Sequence, residues 1–102
     1  MKTLHILNKS PKTPFPASQC ARFISEQDSV LLIEDAVYYA LPSTIPLLLS
    51  TSLQSETTAI YALKEDLEAR GILALAHKGV QLVSYDGFVE LTASHDKSTS
   101  WY

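Results

Sequence analysis

The sequence predicts an α/β fold: three layers, α/β/α, around a mostly parallel sheet of four to five strands. Two observations carry the prediction. Short, continuous apolar runs at 4–7 and 29–33 suit strands covered on both faces, as in a parallel sheet. Segments rich in helix formers follow such runs in regular alternation, which is the pattern of right-handed strand–helix–strand units. The 102 residues suit one domain, spanning 1–102.

The elements follow in order. Residues 4–7 form a first strand, closed by the turn signal N-K-S-P. Pro11, Pro14 and Pro16 hold off regular structure, and a first helix runs over 15–25 with Ala17, Cys20, Ala21 and Ile24 inward. The run 29–33 is a second strand. Val37, Ala40, Leu41 and then 47–49 suggest a second helix, kinked or split by Pro42 and Pro46. Residues 50–57 are polar and read as a loop, and 58–63 as a third strand. K-E-D-L-E-A-R-G at 64–71 is a third helix, with Gly71 as its left-handed cap and an Asp66–Arg70 pair along its surface. A fourth strand spans 80–83 and a last helix 86–94, with Phe88 and Leu91 inward. S-T-S-W-Y at 98–102 reads as a tail.

Composition narrows the function. Charged residues are 19% of the chain, apolar residues 46%, and the net charge is −3. Eight scattered basic residues are a poor instrument for gripping a phosphate backbone, so no direct nucleic-acid binding is expected. Three glycines leave no material for a glycine-rich phosphate cradle, and no cofactor is expected. His5, His77 and His95 are widely spaced, so no metal site is expected, and His5 reads as a packed or half-exposed strand residue. One cysteine cannot form an internal disulfide, and the amino-terminal nonapeptide is too short and polar for a secretion signal. A cytoplasmic setting without a membrane is therefore expected.

Strand ends are where open parallel sheets bind ligands. Glu34 and Asp35 leave the second strand there. They read either as an acid–base pair or as the start of the next helix. Adjacent residues at a strand end diverge, which favours the second reading, with Asp35, Asp66 and Asp86 as helix caps. Cys20 is the one side chain with distinctive chemistry. In the early turns of a helix it could be a low-pKa thiolate carrying a persulfide. It also shares a face with Ala17 and Ile24, as a packed core thiol would. Tyr38, Tyr39, Tyr61, Tyr85, Trp101 and Tyr102 are many aromatics for so small a chain, and suit a protein interface.

L-H-I-L-N-K-S-P at 4–11, L-L-I-E-D at 31–35, Y-A-L-K-E-D-L-E-A-R-G at 61–71 and V-S-Y-D-G-F-V-E-L-T at 83–92 resemble the DsrH/TusB family, in order and from end to end. The resemblance implies a DsrEFH-like fold and the small subunit of a sulfur-relay complex. Its partners would be a TusC/DsrF-like and a TusD/DsrE-like subunit, in a dimer of heterotrimers. In the TusBCD form such complexes support 2-thiolation of the wobble uridine of tRNA; in the DsrEFH form they serve sulfur oxidation. The resemblance puts the main sulfur-carrying cysteine on the TusD/DsrE-like partner. This chain would then be an accessory subunit, although Cys20 matches a cysteine found in many DsrH-type members. An independent persulfide carrier using Cys20, or a ligand module acting at the strand ends, are the other readings. One departure stands out: the family pattern reads L-L-I-E-D-G, and Ala36 replaces that glycine. Either residue 36 has negative φ here or strain is tolerated.

Overall fold

The structure, a computed structural model, describes residues 2–25, 27–49 and 58–102. Five parallel strands form one sheet in the order β4-β3-β2-β1-β5. They are β1 (Thr3–Leu7), β2 (Ser29–Leu32), β3 (Ala59–Leu63), β4 (Gln81–Val83) and β5 (Lys97–Trp101). Between them lie α1 (Phe15–Phe23), a 3-10 helix (Glu34–Ala40), α2 (Ile45–Leu49), α3 (Lys64–Ala69), a short 3-10 turn (Leu73–Leu75) and α4 (Tyr85–Ser94). The predicted α/β/α arrangement with a parallel sheet is what the chain adopts. The polar stretch 50–57 lies outside the described residues.

The central strands explain the continuous hydrophobicity. Every residue of β1 and β2 is buried. Leu4, Val30, Leu31 and Leu32 have no exposed surface, and each contributes about 1.5–3 kcal/mol of burial. Alternation along β1 divides the core in two. Leu7 joins Val30, Leu32, Ala62 and the inward faces of α1, the 3-10 helix, α2 and α3. Leu4 and Ile6 join Leu31 on the other face, where Phe88 and Leu91 of α4 close over them. Successive crossovers from β1 to β4 step in one direction, which under the right-handed rule places their helices together. The step from β4 back to β5 reverses direction, so among the described residues α4 is the helix that covers the second face.

Three expectations need correction. The tail is no tail: residues 97–101 form β5, hydrogen-bonded along β1 with Thr99 opposite His5 and Trp101 opposite Leu7. The polar alternation K-S-T-S-W is what an edge strand tolerates, and pairing with β1 supplies the order that propensity does not. The second helix is split, as Pro42 and Pro46 suggested, but its first half is a 3-10 helix. None of the three aspartates caps its own helix. The 3-10 helix and α3 begin at Ile33 and Leu63 without side-chain caps, and α4 is capped by Ser84 Oγ, which accepts from the Gly87 N–H at 3.4 Å. Asp35, Asp66 and Asp86 sit inside the first turns, where their charge still suits the helix dipole. Gly71 ends α3 at φ 70°, as expected.

Candidate functional site

The carboxyl edge of the sheet is organised by the exit from β2. Ile33 still donates its N–H to the Leu7 carbonyl at 3.0 Å, and the chain then turns through Glu34 at φ 49°. Among the described residues Glu34 alone, of all non-glycine positions, has positive φ. The left-handed position is therefore 34, and Ala36 lies beyond it, in the 3-10 helix and fully buried. The family glycine's absence costs no left-handed strain at residue 36.

What holds Glu34 in that conformation comes from α3. Its N–H donates to Asp66 Oδ2 at 2.6 Å. Arg70, one helical turn further on, donates from Nε and Nη2 to Asp35 Oδ1 at 3.1 and 2.9 Å. Its Nη1 donates to the Asp66 carbonyl at 3.1 Å and stands 3.8 Å from Asp66 Oδ1, so the expected Asp66–Arg70 pair is present. Arg70 thus clamps the 3-10 helix to α3. The opening pair of carboxylates has one member salt-bridged and both exposed at a turn. They do not converge on a shared proton, as an acid–base dyad requires. Beside them lies an open cleft of about 640 Å³, lined by Ser10, Pro11, Lys12, Asp35, Tyr38, Leu41 and Thr44. Thr44 Oγ1 donates to the Tyr38 carbonyl at its wall. Among the described residues no three His, Cys, Asp or Glu side chains gather as metal ligands.

Cys20 lies on the inward face of α1 with Pro16, Ala17 and Ala21, 2% exposed. Burial, with a smaller push from the Asp28 charge, drives its thiol from 9.0 to about 12. A thiol in that state is protonated at neutral pH and shielded from reagents, so in this conformation the side chain packs rather than attacks.

A second cluster was not legible beforehand. Asp28, just before β2, is buried and accepts three hydrogen bonds. Thr3 N–H reaches Oδ1 at 3.0 Å; Ser25 N–H and His5 Nε2 reach Oδ2 at 2.9 and 2.8 Å. Burial raises its pKa, but these bonds outweigh burial and leave the carboxyl below its ordinary value. On the far side of the ring, Trp101 Nε1 donates to His5 Nδ1 at 3.0 Å. Trp101 also stacks on His5 and on Phe23, with centroids 6.0 and 5.7 Å apart. The one available signal was a histidine within a fully apolar strand run, which demands a partner once buried. His95 meets the same demand elsewhere: Nδ1 donates to the Leu91 carbonyl at 2.7 Å and Nε2 faces Ser29 Oγ at 3.0 Å. His77 Nδ1 accepts from the Gly79 N–H at 2.9 Å.

Of the aromatics, Tyr39 is buried and Trp101 half-buried, while Phe15, Phe23, Tyr85 and Tyr102 are largely exposed. Phe15 and Phe23 stand at the two ends of α1, and both lie off its buried face of Pro16, Ala17, Cys20 and Ala21.

Fold and site together define a class: a small all-parallel α/β protein whose strand-end carboxylates lock elements together and whose cysteine is packed inside. Solved structures share the architecture. The ychN protein from E. coli aligns at a TM-score of 0.80 over 99% of both chains, with 22% identity. Protein Tm0979 from Thermotoga maritima aligns at 0.65 over 89% of this chain and 91% of that one, with 24% identity. The family described as DsrH like protein matches residues 9–98. Protein TusB of Escherichia coli K12 is 37% identical over 99 residues, covering 96% of this chain and 99% of that protein. Protein TusB of Buchnera aphidicola subsp. Baizongia pistaciae is 34% identical over 100 residues, with the same coverage. The chain belongs to the DsrH family.

Proposed function

We propose that this chain is a TusB-like accessory subunit of a cytoplasmic sulfur-relay complex that supports 2-thiolation of the wobble uridine of tRNA. The observation that carries the reading is the end-to-end similarity to proteins named TusB. Two features of the chain support it. The single thiol is buried and held protonated, which fits a subunit whose partner carries the sulfur. The exposed rings of Phe15, Phe23, Tyr85 and Tyr102 suit contact with companion chains better than a solitary life in water.

The companions are a TusC/DsrF-like and a TusD/DsrE-like subunit, assembled as a dimer of heterotrimers. Co-expression of the three chains tests this directly. The expected result is one co-purifying species whose native mass equals two copies of each. A chain that elutes alone, with both companions present and folded, overturns the reading.

Cys20 itself favours a second reading, because DsrH-type members of the family often carry a cysteine there. On that reading the chain serves a DsrEFH complex in sulfur oxidation, or carries a persulfide by itself. Incubation of the native chain with a persulfide donor, followed by intact-mass measurement, separates the carrier role. A sulfur atom gained by the native chain and not by Cys20→Ser supports it.

A further inference from the structure

The hydrogen bonds around His5 fix its protonation state by geometry. An indole N–H only donates, so His5 Nδ1, 3.0 Å from Trp101 Nε1, must be an acceptor and bear no proton. The ring's one proton is then on Nε2, donated to Asp28 Oδ2 at 2.8 Å. The chain Trp101–His5–Asp28 therefore works only with a neutral ring in one tautomer. A second proton would have to go on Nδ1, where two donors would face each other.

Something must then give, and the surroundings decide what. His5 lies in β1, hydrogen-bonded between β2 and β5, and is 3% exposed. Asp28 is pinned by the Thr3 and Ser25 N–H groups and gains a full ion pair when the ring is charged. Trp101 is the weakest-held of the three. It ends an edge strand, is followed by Tyr102 at 79% exposure, and borders an open cleft of about 380 Å³ with Phe23, Lys97 and Thr99. Other charged or titratable groups face the ring from each packed element. They are Asp28, hydrogen-bonded to the ring, Lys97 of β5, which lines the same cleft, and the buried Cys20 thiol of α1.

We propose that Asp28, His5 and Trp101 form a proton-operated latch: protonation of His5 at Nδ1 expels the indole and frees the end of β5 with the Phe23–Trp101 stack. The latch spans residues that sequence keeps far apart, and it controls the order of an aromatic surface at the sheet edge. It stands whether or not that surface meets a companion chain.

Trp101 is the one tryptophan of the chain, so its emission reports the latch without labelling. The full chain is titrated from about pH 8 to about pH 5, where imidazole commonly changes charge, with far-ultraviolet circular dichroism confirming that it stays folded. Histidine-ring nitrogen NMR reads the tautomer in parallel. The expected start is a proton on His5 Nε2 only. As Nδ1 gains its proton, Trp101 emission changes and its indole N–H exchanges with solvent about tenfold faster, the equivalent of one lost hydrogen bond. In His5→Gln, which donates and accepts without titrating, the emission change disappears. If that variant does not fold, the native chain decides alone. The proposal is overturned if His5 becomes doubly protonated with indole exchange unaltered. It is equally overturned if His5 stays neutral until the whole chain unfolds, or if His5→Gln retains the emission change.

Discussion

Cys20→Ala and Cys20→Ser put two separate questions to the same position. The residue is 2% exposed and belongs with Leu7, Ala17, Val30 and the rest of the larger core. Alanine removes one buried heavy atom, comparable with deleting a methylene, and should cost about 1 kcal/mol. Serine keeps the shape but buries a hydroxyl, at about 1–3 kcal/mol if it stays unpaired. A bond from the new hydroxyl to the Pro16 carbonyl, one turn back along α1, would recover part of that. Serine should therefore be the worse substitution, near 2 kcal/mol in round terms. At about 4–8 °C per kcal/mol for a chain of this size, Tm falls by roughly 4–8 °C for alanine and roughly twice that for serine. Thermal and urea unfolding of the three proteins measure this. Alkylation of the native chain supplies an independent check. Burial that raises the thiol from 9.0 to about 12 leaves very little thiolate at neutral pH, so the native chain should react far more slowly than the unfolded one. Serine as stable as cysteine, together with alkylation at the rate of the unfolded chain, would refute the packed-thiol argument and return Cys20 to the list of reactive groups.

The turn after β2 gives a paired prediction. Glu34→Gly should raise stability by about 0.5–1 kcal/mol, since φ 49° strains any residue with a Cβ, whereas Ala36→Gly should lower it by about 1–2 kcal/mol through lost burial and added chain entropy. The reverse pattern in urea unfolding, with Glu34→Gly destabilising and Ala36→Gly stabilising, would mean that the left-handed residue is 36 after all. Asp28 gives a pH signature. Its folded carboxyl lies below the ordinary value, so it binds fewer protons folded than unfolded; its stabilisation is present above about pH 4 and is lost as pH falls through the folded value. Asp28→Asn should therefore be less stable than the native chain at pH 7, and the gap should close on acidification below about pH 4. A gap that does not change with pH would show that the carboxylate's charge contributes nothing.

Much of the site was legible because it is local. Asp66 and Arg70 are one turn apart on a helix, so their pairing follows from spacing alone. Gly71 ends that helix for a reason contained in one residue. The partners of those groups were not legible. Nothing in the order of residues shows that Arg70 reaches back 35 positions to Asp35, or that Asp66 receives the Glu34 N–H across 32. Spacing alone points to capping for Asp35 and Asp66, because it is the commonest local use of an aspartate at a helix start. A competing long-range acceptor role won in both cases.

By itself, the order of residues determined the buried parallel strands, the helices between them and the family. Continuous apolar runs and helix-forming segments express preferences that each stretch carries alone. Tertiary structure decided the rest. Residues 97–101 are strand only because β1 offers them an unpaired edge, and His5, Asp28 and Trp101 meet only because the sheet sets β5 beside β1. The physical reason is one of range: hydrophobic period acts over a few residues, whereas a hydrogen bond between positions 5 and 101 exists only after the chain between them has folded.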